Sequence, residues 1–186
     1  MPRIKEKHPK LEVNCYGDMT LEFESMEITV KLTRLTLRTL LMEGVEFSSW
    51  RNVLCEAVEV QKRLREAEAG CLTRGLRGRG LCISDMGGRR LKEPLMRKGI
   101  DVRIRYCERP YHFPPLRILN RLMAHRPVED WEIERYVKAH LDYLKGYIYR
   151  FDNRDRAYYE WVNDTVPWMK GKLERDEIKA LDSIIQ

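Results

Sequence analysis

Short runs of the chain alternate apolar and polar residues with the period of a strand. Leu11, Val13 and Cys15 share one face, Leu21 and Phe23 share another, and Gly17 and Asp18 lie between as a hairpin turn. Residues 27–32 alternate strictly, with Ile28, Val30 and Leu32 on one side. The period then changes. Leu37, Leu40 and Leu41 predict a short helix ending near Gly44, and Ser48 and Ser49 offer an N-cap to a longer one. That helix sets Val53, Leu54, Ala57, Val58 and Leu64 opposite Arg51, Glu59, Lys62 and Arg63.

After a stretch rich in Gly and Arg, the pattern returns. Residues 101–106 alternate, with Val102, Ile104 and Tyr106 on one face. Leu116, Leu119, Leu122 and Met123 predict a short helix. Pro127, Glu129 and Asp130 suit the start of the next, which carries Ile133, Val137, His140, Leu141, Leu144 and Ile148. From about Asp152 two more helices are expected, meeting near Pro167. The expected class is therefore α+β, mostly helical. Two strand-helix-helix units pair through a two-stranded antiparallel ribbon, beside an N-terminal β-hairpin and C-terminal helices. The segments are an arm and hairpin (1–25), a first unit (26–67), a basic connector (68–99), a second unit (100–150) and a helical extension (151–186).

The stretches EITVKLT with SSWRNVLCEAVEVQKRL, and DVRIRY with VEDWEIERYVKAHLDYL, resemble the ribbon-helix-helix family of DNA-binding proteins. The resemblance implies a ribbon lying in the DNA major groove, helices forming the core, and phosphate contacts at the start of the longer helix. In the first unit those contacts fall to Ser48, Ser49 and Arg51. Glu129 and Asp130 occupy the matching end of the second unit and would repel phosphate, so the contact is not carried over there. If the apolar faces pack inward, Thr29, Lys31, Arg103 and Arg105 point outward as candidate readers of bases. Arg74, Arg77 and Arg79, among glycines, are candidates for tracking phosphates.

Composition narrows the classes. Lys and Arg number 35 against 29 Asp and Glu, a net charge of +6 that favours a polyanionic partner. No uncharged run approaches the roughly 20 residues of a membrane span, and the charged start lacks a signal-peptide core, so a cytoplasmic protein is expected. The five cysteines form no CxxC pair and are expected to be free, buried thiols. Cys107, His112 and His125 match no metal-ligand spacing, GLRGRG is not a nucleotide fingerprint, and no nucleophile lies beside a base. Neither cofactor nor metal nor enzymatic activity is expected.

The expected function is DNA binding, as a transcriptional regulator acting on double-stranded DNA. The alternatives are a helical structural subunit coating nucleic acid without reading sequence, and a protein-interaction module. The dense C-terminal aromatics, from Tyr143 to Trp168, are expected to form a core or else a surface for self-association or a protein partner.

Overall fold

Asp18 starts a helix rather than turning a hairpin. Its carboxylate accepts the N–H groups of Thr20 at 3.0 Å and Leu21 at 3.1 Å, the role of an N-cap. Helix α1 then runs unbroken over Met19–Met42. The structure, a computed structural model, describes residues 6, 7, 10, 12–84, 88–106 and 112–170. Among these there are six α-helices and no strand.

The expected ribbon and hairpin are therefore corrected. Leu21, Phe23 and residues 27–32 are all helical, and residues 12–17 have no regular structure; Leu11 lies outside the described residues. Six residues with period two are also a fragment of a longer helical pattern. Ile28, Leu32, Leu35, Thr36 and Thr39 follow helical spacing, and between residues 28 and 39 they are the positions that are buried or half-buried. Val30, expected to share a strand face with Ile28 and Leu32, is exposed. The threonines of the buried face suit the helix by donating hydroxyls to carbonyls one turn back. Thr36 bonds Leu32 and Thr39 bonds Leu35, each at 2.8 Å. Residues 101–106 also form no strand. The alternation survives in part as side-chain exposure: Val102 and Ile104 are half-buried while Arg103 and Arg105 are exposed, but Tyr106, expected on the inner face, is exposed too.

Helix α2 spans Phe47–Gly75, so Ser48 and Ser49 lie within its first turn and its last turns extend into the expected connector. A 3₁₀ turn at Gly88–Leu91 leads into the short α3, Lys92–Arg97. Then come α4 (Pro115–Met123), α5 (Asp130–Tyr143), a π-helical turn at Leu144–Ile148, and α6 (Arg154–Thr165). Glu129 and Glu132 form a capping box on α5, and Asn153 caps α6 through the N–H groups of Asp155 and Arg156. The second expected tail helix lies outside the described residues.

The chain divides into two compact units. Unit 1 comprises Met1–Glu27 and Glu59–Tyr106, and unit 2 comprises Ile28–Val58 and Cys107–Gln186. Unit 2 has two apolar clusters. One gathers Trp50, Leu54, Leu119, Val128, Ile133 and Val137, with Leu32 and Leu35 packed against it. The indole N–H of Trp50 donates to the Thr39 hydroxyl at 3.1 Å, so the buried ring leaves no polar atom unpaired. The other gathers Tyr143, Tyr158, Trp161, Val162, Val166 and Met169. Those C-terminal aromatics make core, whereas Tyr149 and Trp168 remain exposed. Unit 1 has a smaller cluster of Ala69, Leu91 and Leu95, flanked by Tyr16, Leu72, Ile100 and Val102.

Candidate functional site

The basic excess of the molecule is local. Residues 74–105 hold ten Lys or Arg against three Asp or Glu, so the net +6 of the whole chain is more than accounted for there. All of them belong to unit 1. Part of the segment is folded. Leu91 and Leu95 anchor the 3₁₀ turn and α3 to Ala69, while Arg97 pairs with Glu66 at 2.7 Å and Arg90 donates to Gln61 at 2.9 Å.

Gly99 directs the chain out of α3. Its φ of +80° suits glycine, and two hydrogen bonds close the helix end: Gly99 N–H to Met96 at 2.9 Å and Ile100 N–H to Leu95 at 3.1 Å. Ile100 packs beside Leu95, the apolar contact that accompanies this motif. Val102, Arg103, Ile104 and Tyr106 then line, with Arg89 and α3, an open groove of about 1070 Å³. Arg89, Lys92, Arg97 and Arg103 supply its positive charge, Glu93 its one carboxylate, and Met96, Val102, Ile104 and Tyr106 its apolar surface. Arg97 is paired with Glu66, and among the described residues the acidic group that Arg103 approaches is Asp101, at 3.9 Å with both side chains almost fully exposed. Such an exposed pair leaves Arg103 available to another anion.

The expected site residues fall in several settings. Arg103 is in the groove, and Arg105 is exposed on the same segment. Arg74 ends α2 near the Cys71 sulfur, and Arg77 and Arg79 follow, exposed. Thr29 and Lys31 lie on α1, with Lys31 paired to Glu56. Arg51 bonds the Val128 carbonyl and the Asp130 carboxylate, both at 2.6 Å, and so holds the start of α5. Ser48 sits near Glu46, its hydroxyl 3.4 Å from the carboxylate, and Ser49 is half-buried in the first turn. Thr29 and Lys31 belong to unit 2, whereas Arg103 and Arg105 belong to unit 1, and the strands that were to unite them are absent from the described residues. Arg89 and Lys92 escaped selection because their stretch reads as a linker; a running charge tally singles them out.

The described residues contain no His/Cys/Asp/Glu group able to hold a metal; Cys107 lies outside them. Cys15, Cys55 and Cys82 are free and exposed, not buried as expected, and Cys71 is free and half-buried. Among the described residues no helix is long and apolar enough to cross a membrane. No protein-family model matches the chain, and comparison with curated proteins and with solved structures found no match.

Proposed function

We propose that this protein binds nucleic acid through the phosphate backbone, using the basic groove of unit 1, in the manner of a coating or packaging subunit. The observation that carries the reading is the concentration of the chain's positive excess in residues 74–105, with four cations around one apolar groove. Arginine and lysine neutralise phosphates and release their counterions, which yields affinity without base information. Arg77 and Arg79, outside the groove and next to glycines, extend the positive surface along the chain. Tyr106, 61% exposed at the groove, offers a face for an unpaired base. The free thiols agree with a reducing, cytoplasmic setting.

The test is fluorescence anisotropy with a labelled 30-nucleotide single strand and the matching duplex at low salt. The intact protein should bind, with little preference among sequences. Replacing Arg89, Lys92 and Arg103 together with Ala should weaken binding by about tenfold or more. Absence of binding to both probes would end the proposal.

A further inference from the structure

Helix α1 carries a second apolar face that nothing in the described residues covers. Met19, Phe23, Met26, Val30 and Leu37 are between 48% and 70% exposed. With Thr33 and Leu40 they occupy alternating steps of four and three residues, the a/d spacing of a coiled coil sustained over three heptads. This seam is distinct from the Ile28, Leu32 and Leu35 face, which packs inward. Because α1 is one uninterrupted helix, about 36 Å long at 1.5 Å per residue, the seam's register is a property of the helix itself.

Charge along the same helix is polarised. Glu22, Glu24 and Glu27 lie in its first half, and Lys31, Arg34 and Arg38 in its second. A parallel partner of the same sequence would set like charge against like. An antiparallel one sets each acidic half against a basic half. We infer that two copies of this chain pair antiparallel through the exposed face of α1. In the register centred between Lys31 and Leu32, Met26 of one copy meets Leu37 of the other, Phe23 meets Leu40, and Val30 meets Thr33. The same register sets Glu27 beside Arg34 of the second copy, twice by symmetry. Glu27 and Arg34 are exposed and have no ion-pair partner among the described residues, unlike Glu24, Lys31 and Arg38, which pair with Arg63, Glu56 and Glu46.

Sedimentation of the full chain at micromolar concentration should give a dimer. Val30→Asp with Leu37→Asp, both on the exposed face, should raise the dimer dissociation constant by roughly 100-fold while leaving helical circular dichroism unchanged. Glu27→Arg alone and Arg34→Glu alone should each weaken the dimer by about tenfold, and the double exchange should restore it. A monomeric wild type would overturn the inference. So would single reversals that dimerise like the wild type, or a double exchange that fails to rescue.

Discussion

Unit 2 buries large side chains and unit 1 displays charge. Trp50, Leu54, Leu119, Ile133, Val137, Val162 and Met169 are almost wholly inaccessible in unit 2, whereas the unit 1 cluster centres on Ala69, Leu91 and Leu95. Apolar burial supplies most of the driving force for folding, so unit 2 carries the greater local stability. Unit 1 holds the segment in which the chain's positive excess is concentrated. On the proposed function the two units divide the labour, unit 2 holding the larger core and unit 1 offering the basic surface.

Core truncation probes that contrast most strongly. Trp50→Ala should cost about 3–5 kcal/mol, removing a fully buried ring and leaving the Thr39 hydroxyl without its donor. Leu95→Ala, in the smaller cluster, should cost about 2 kcal/mol. Urea denaturation measures both, and equal losses would erase the proposed difference.

Acid should act on unit 2 next. Burial pushes the His140 imidazole down to about 4 from an ordinary 6.5, and its Nδ1 finds no hydrogen-bond partner among the described residues. The unfolded chain takes up that proton first. Stability is therefore full above pH 6.5 and falls as pH drops toward 4, by up to about 3 kcal/mol. Glu132 adds a lower window. Two hydrogen bonds from Arg126, then the Glu129 N–H, hold its carboxylate down to about 2 from 4.5. Its stabilisation is present above pH 4.5 and is lost toward pH 2. Denaturant midpoints across pH should show the first loss, and His140→Phe should flatten it.

A smaller effect is expected at the helix end that shapes the groove. Gly99→Ala forces a Cβ into a left-handed conformation and should cost about 1–2 kcal/mol. Amide hydrogen exchange at Ile100 should accelerate while exchange in α5 is unchanged. Tyr106→Ala should leave stability alone and weaken single-strand binding by about 1–3 kcal/mol, with duplex binding spared. Equal loss on both probes would remove base stacking from the account.

Legibility in the sequence followed local physics. Helices α4 and α5 were readable because Leu119, Leu122, Ile133 and Val137 repeat at helical spacing next to Pro and acidic starts. Of helix α1 the end at Leu37, Leu40 and Leu41 was readable, but the part before it was not, because Thr29, Val30 and Thr33 favour strands locally, and Asp18 after Gly17 reads equally as a turn or an N-cap. Tertiary burial of Ile28, Thr36 and Thr39 decided the matter. Of the groove, Arg103 was legible from its charge, though in a ribbon rather than an irregular segment. Arg89 and Lys92 depend on Leu91 and Leu95 docking against Ala69, a contact that no local pattern announces.

The most direct test compares the salt dependence of nucleic-acid binding in two triple variants. One replaces Arg89, Lys92 and Arg103 in unit 1, and the other replaces the exposed Arg117, Arg135 and Lys145 in unit 2, all with Ala. Each phosphate contact contributes about 0.9 to the slope of log affinity against log salt on duplex DNA. The unit 1 variant should flatten that slope by up to about 3, and the unit 2 variant should keep the wild-type slope. An unchanged slope in the unit 1 variant, or an equal flattening in both, would contradict the assignment of the interface to unit 1.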